Sequence, residues 1–238
     1  MQRYPYLIEV VASTVHSCVE AELGGASRIE LCSALGAAGI TPSSGLLEVI
    51  KRHISIPVYV MIRPREGDFT YSASELEVMR REIDLLGESG ADGFVFGILS
   101  EQGTIDTKAT GQLVNHCGDK PVTFHRAIDC TENLLASLAE IASCGCERIL
   151  TSGGKKSGPE GKEMILAMHE IAEGKIIIMP GGGIRPDTFS NIYHPNITEY
   201  HLSGRSPKRS PYPSQLFDMD WAETSREAIA EVVYQKPA

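Results

Sequence analysis

No apolar run in this chain reaches the roughly 18 residues of a membrane-spanning helix, so the sequence predicts no membrane partner. No basic block is present either. Lys and Arg number 22 against 31 Asp and Glu, and a net charge of −9 offers no clustered cations to neutralise phosphates, which excludes nucleic acid as an expected partner. The six cysteines, at 18, 32, 117, 130, 144 and 146, form no CxxC pair. The opening residues MQRYPYLIEVVAS lack the basic region, apolar region and cleavage site of a secretory leader. Reduced thiols in a cytoplasmic protein are therefore expected. Cys144-Gly145-Cys146 is too tight to chelate tetrahedrally by itself and reads as packing at a helix end. The first strand is followed by Ala12-Ser13-Thr14, with no GxGxxG turn, which argues against a doubly wound dinucleotide fold.

What the chain does have is alternation. Strand-like stretches at 7–12, 28–32, 57–63, 92–98, 121–126, 148–152, 175–180 and 198–203 are each followed by a helix-like stretch. Helices are expected from Thr14, up to about His53, after Ser72, over 107–117, 131–144 and 159–173, from Pro186, and over 220–234. A Ser/Pro-rich segment, 206–214, is expected to be mobile. Eight strand–helix units in 238 residues predict an α/β fold of the (β/α)8 TIM-barrel type, a single domain over 1–238.

The stretch PVYVMIRPREGDFTYS (57–72) organises the rest. Val58, Val60 and Ile62 alternate with Tyr59, Met61 and Arg63, and the strand stops at Arg63-Pro64, since proline gives no ladder donor. Ser72 and Glu75 form a capping box for the next helix. In a barrel the helix-facing side of each strand is aliphatic, which fixes the parity of every strand. Glu9, Val11, Arg28, Glu30, Cys32, Tyr59, Met61, Arg63, Thr123, His125, Arg148, Ser152, Glu199, His201 and Ser203 then point inward. A lumen this charged must pair with itself, with water or with a ligand. Glu30 is expected to pair with Arg63 across adjacent strands, and Glu9 to reach His201 once the barrel closes. Glu9, Glu30, Arg63, His125 and His201 should share one cavity at the strands' C-terminal ends.

Two further features carry chemistry. FHRAID (124–129) places a strand-end histidine four residues before a carboxylate, the spacing of a general base with its orienter, His125 and Asp129. Glycines follow strands six, seven and eight, and barrels commonly bind phosphate in the loops after strands seven and eight, where bare backbone N–H groups converge. Ser152, Gly153, Gly182, Gly183 and Arg205, with Arg65 from the loop after strand three, are the expected anion-binding groups.

RIELC (28–32), GITPS (39–43), MIRPREGDFTYS (61–72), DGFVFG (92–97), FHRAID (124–129), RILTSGG (148–154), MPGGGI (179–184) and EYHLSGR (199–205) together resemble the CutC family, labelled copper homeostasis proteins. The resemblance runs from the first strand to the eighth. It implies a (β/α)8 barrel, a cytoplasmic location, a homo-oligomer (dimer or tetramer) and a link to copper, with barrel cysteine thiolates as Cu(I) ligands. That points to Cys32. Val11 stands where some members carry a second cysteine. Two functions are thus open: a copper homeostasis protein binding copper as Cu(I), or an enzyme acting by acid–base chemistry on a small anionic or phosphorylated ligand at the barrel's C-terminal mouth.

Overall fold

The computed structural model describes residues 6–208 and 221–235. Eight parallel strands form one sheet: β1 (Leu7–Ala12), β2 (Arg28–Leu31), β3 (Val58–Met61), β4 (Gly93–Phe96), β5 (Val122–Phe124), β6 (Arg148–Thr151), β7 (Ile177–Pro180) and β8 (Glu199–Leu202). Their order is β7-β6-β5-β4-β3-β2-β1-β8, and the sheet curls until β8 lies beside β7. The expected (β/α)8 barrel is the result. Its outer helices are α1 (Val15–Leu23), α2 (Ser44–Ile50), α3 (Ala73–Glu88), α4 (Thr107–His116), α5 (Leu134–Ser143), α6 (Lys162–Ala172), α7 (Pro186–Ile192) and α8 (Arg226–Tyr234).

Local chemistry sets the helix starts. Thr14 Oγ1 accepts from Ser17 N at 3.0 Å, and the Ser72–Glu75 capping box forms as expected, with Ser72 N donating to Glu75 Oε2 at 2.7 Å. The outward strand residues Ile8, Val10, Ile29, Leu31, Val58 and Val60 are buried against Leu47, Met79, Ile83, Leu86 and Ile229 of the helices. Each such aliphatic side chain contributes about 1.5–3 kcal/mol on burial.

The strands are shorter than the hydrophobic runs imply, because ladder pairing ends before burial does. Cys32, Ile62 and Ile98 are buried beyond the last paired residues. A 3-10 turn, Arg126–Cys130, intervenes before α5, so that helix begins at Leu134 and not at 131. The helix expected to start near 220 begins at Arg226, because β10 (Trp221–Thr224) pairs antiparallel with β9 (Arg205–Lys208) and Ser225 then caps α8. Of the segment expected to be mobile, residues 206–208 lie in β9 and 209–214 lie outside the described residues.

Candidate functional site

The barrel floor is a closed ion network. Register places Glu9 between Arg28 on β2 and His201 on β8. Arg28 Nε donates to Glu9 Oε2 at 2.5 Å and its Nη2 to Glu199 Oε2 at 2.6 Å. Arg148 Nε donates to the same Glu199 oxygen at 3.1 Å, and Arg148 also bonds Glu147. Both guanidinium groups lie over the Tyr59 ring, at 4.7 and 5.1 Å. Burial opposes ionisation of Glu9, yet Arg28 and the His201 hydrogen bond outweigh it and hold the carboxyl down at about 2.

Above this floor the groups are less satisfied. A cavity of about 510 Å³ opens at the strands' C-terminal ends, lined among others by Glu30, Met61, Arg63, Phe69, His125 and His201. His201 Nδ1 bonds Glu9 Oε1 at 2.8 Å, leaving Nε2 3.9 Å from Glu30 Oε2. Glu30 Oε1 is buried and has no hydrogen-bond partner. Burial and the neighbouring Glu9 charge push Glu30 up to about 7, against the pull of His201 and Arg28. Burial lowers His201, but Glu30 and Glu9 together outweigh it and raise its pKa.

His125 follows β5. Its Nδ1 accepts from Ala127 N at 3.3 Å, which leaves the proton of the neutral ring on Nε2. That Nε2 is buried without a partner. Burial and the Arg63 charge push the ring down to about 3, so it is a neutral donor at ordinary pH. Gly97 makes room for it, since a Cβ there would stand 2.5 Å from His125 Nδ1. Phe69 meets the ring edge-on at 4.9 Å.

The five inward groups thus converge: Glu9 below, and Glu30, Arg63, His125 and His201 around the cavity. The expected Glu9–His201 contact is present. The expected Glu30–Arg63 pair is not, because backbone carbonyls capture Arg63 first. It donates to Ala37 O, Gly39 O and Gly67 O at 2.7–3.0 Å and stacks on Phe69.

Asp129 does not orient His125. The 3-10 turn swings its carboxylate to the loop after β6, where it accepts from Thr151 Oγ1, Ser152 N, Ser152 Oγ, Gly154 N and Arg126 Nε. The chain's own carboxylate therefore fills the nest in which an anion was expected. Gly153 N turns to Thr151 Oγ1, and Gly182 and Gly183 pack against Arg126 and Ser157. Arg65 is held by Glu75 and Asp68, and Arg205 by Ala222 O in the hairpin. Ser152 and Gly182 thus lie together beside Arg126 while Arg65 and Arg205 are held elsewhere, and the cations that line the cavity are Arg63, Arg126 and Lys155. Arg126 lies inside the FHRAID motif, and the loop after β6 signalled Lys155 only by position.

The sequence model of the CutC family matches residues 6–206. This chain belongs to the CutC family. It is 48% identical over 206 residues to the human copper homeostasis protein cutC homolog, covering 86% of this chain and 76% of that one. It is 41% identical over 208 residues to the family protein CutC of Xanthomonas axonopodis pv. citri, covering 87% of each. Among solved structures it is similar to copper homeostasis protein CutC of Streptococcus agalactiae, with a TM-score of 0.78, 32% identity, and coverage of 83% of this chain and 98% of that one.

Cys32 is the thiol of this CutC chain to be judged as a Cu(I) ligand. It is fully buried, in one cluster with Met61, Tyr59, Val95 and Val11. Burial, then the Glu30 charge, raises its thiol pKa, which disfavours the thiolate that binds metal. Met61 is the adjacent soft donor. The nitrogen and oxygen donors of Glu9, Glu30 and His201 form a separate group within 4.8 Å of one another. No helix of the described residues is long and apolar enough to cross a membrane.

Proposed function

We propose that this chain serves copper homeostasis through a small-ligand site at the C-terminal mouth of the barrel. The observation that carries the reading is the set of three buried, unpartnered polar atoms, Glu30 Oε1, Arg63 Nε and His125 Nε2, in the wall of one cavity. Natural proteins rarely leave such atoms unsatisfied without a ligand or water to meet them. Arg126 and Lys155 at the same wall favour a ligand carrying negative charge. The relatives' names supply the copper context. Six free cysteines fit a cytoplasmic location, and exposed Val78 and Leu85, two turns apart on α3, fit a homo-oligomer.

Direct Cu(I) binding belongs to this proposal as a weak activity. Cu(I) prefers soft thiolate and thioether donors, and Cys32 with Met61 supplies one of each. With Val11 beside them in place of a second thiol, Cu(I) binds no tighter than to an ordinary accessible thiol. Competition against a Cu(I) chelator tests this. A tight, stoichiometric site that disappears in Cys32→Ser would replace the mouth site by a copper-carrying role for the lumen.

A second reading has its own observation. Glu30 as proton acceptor and the neutral His125 Nε2–H as donor face one cavity, the arrangement that proton abstraction beside a carbonyl requires. It makes the chain an enzyme acting on a small anionic molecule.

A further inference from the structure

The guanidinium groups of the lumen do not serve its carboxylates equally. Glu9, Glu30 and Glu199 are three buried carboxylates. Arg28 and Arg148 are the two guanidinium groups among them, and Arg148 is also engaged by Glu147. Arg63 turns to carbonyl oxygens and makes no bond to Glu30. Glu30 is the one of the three that no guanidinium bonds, and its Oε1 lacks any partner. An isolated buried carboxylate is costly enough that it takes up a proton or a cation.

The neighbouring histidine is arranged for a cation. Glu9 Oε1 holds His201 at Nδ1, at 2.8 Å, and so turns Nε2, the nitrogen a cation would displace a proton from, toward Glu30. A carboxylate behind a histidine, orienting its other nitrogen, is the recurrent support of a metal-ligating imidazole. Nε2 and Glu30 Oε2 stand 3.9 Å apart. Bonds of about 2.0–2.2 Å to nitrogen and to oxygen span that gap with the ion between them. Both residues line the cavity, so the remaining coordination positions open to its interior.

We infer that His201 Nε2 and the Glu30 carboxylate bind a divalent transition-metal cation at the mouth of the barrel, with Glu9 as the positioning residue behind His201. The donor set is imidazole plus carboxylate, suited to Zn(II), Co(II) or Cu(II) and unsuited to Cu(I). With two protein ligands, the ion presents open positions to a small anionic ligand, whose charge Arg126 and Lys155 complement from the wall. This inference rests on the reading of the mouth as a ligand site, but it is independent of Cys32.

The test uses untagged protein stripped with a chelator. Zn(II) is titrated by calorimetry and Co(II) by its visible absorption, for the parent, Glu30→Gln, His201→Gln and Cys32→Ser, with circular dichroism to confirm each fold. The expected result is one equivalent bound by the parent and by Cys32→Ser, and at least about tenfold weaker binding in Glu30→Gln and His201→Gln, the size of loss typical when a metal site is disturbed. If His201→Gln does not fold, Glu30→Gln alone decides. No saturable binding by the parent, equal binding by the folded ligand variants, or loss of binding in Cys32→Ser overturns the inference. Failure here with a tight Cu(I) site absent leaves the small-ligand reading standing, so the two are separable.

Discussion

The floor and the mouth of this barrel hold the same kinds of residue in opposite conditions. On the floor, Arg28 reaches both Glu9 and Glu199, Arg148 reaches Glu199, and every charge has an opposite within 3.1 Å. At the mouth, two residues beyond Arg28 on β2, Glu30 keeps a bare oxygen, and after β5 His125 keeps a bare Nε2–H. A saturated network holds the lumen together, whereas an unsaturated one waits for a partner. The contrast teaches that buried charge by itself says nothing of function. What separates structure from site is whether the hydrogen-bonding capacity is used up.

The largest effect that can break this comparison lies on the floor. Arg28→Met leaves Glu9 without its main counter-charge and weakens the hold on Glu199 in a closed lumen. Removing one partner from a buried ion network costs about 3–5 kcal/mol. Chemical denaturation at pH 7 should read that loss, and a change below about 1 kcal/mol would show that the floor charges are not mutually dependent.

A smaller effect sharpens the mouth. His125 is held neutral by burial and by Arg63, with a pKa near 3 against 6.5 for an ordinary histidine. Its folded value lies below its unfolded value, so the unfolded chain binds the proton first as pH falls from 6.5. Its contribution is present in full above 6.5 and is lost progressively toward 3. Between pH 7 and pH 5 this amounts to about 2 kcal/mol. The stability gap between the parent and His125→Gln should therefore narrow by that amount on acidification. A gap independent of pH would mean that the ring is not buried as a neutral donor.

Much of this was legible from sequence. The two-residue parity of the strands brought Glu9, Glu30, Arg63, His125 and His201 to one lumen, because alternation is dictated by the pleat and the aliphatic side by the helices. Glu9–His201 followed from barrel closure alone. What alternation cannot supply is the direction of long side chains beyond a strand's end. Arg63 was caught by carbonyls of the 35–39 turn, where Ala34 and Ala38 adopt left-handed φ of 50° and 62° without being glycine. Asp129 was carried away by a 3-10 turn that no apolar period announces. Arg205 was claimed by a hairpin whose second strand reads, in isolation, as the start of the last helix.

The central claim is that the mouth is a site and the floor is a scaffold, and Glu30→Gln tests it most directly beside Arg28→Met. Each variant is measured for stability by chemical denaturation and for Zn(II) binding by calorimetry at pH 7. The account predicts a crossed result. Glu30→Gln stays within about 1 kcal/mol of the parent and loses Zn(II) binding by tenfold or more, while Arg28→Met loses about 3–5 kcal/mol of stability. Several kcal/mol lost in Glu30→Gln with Zn(II) binding unchanged would contradict it, for the mouth would then be one more piece of the scaffold.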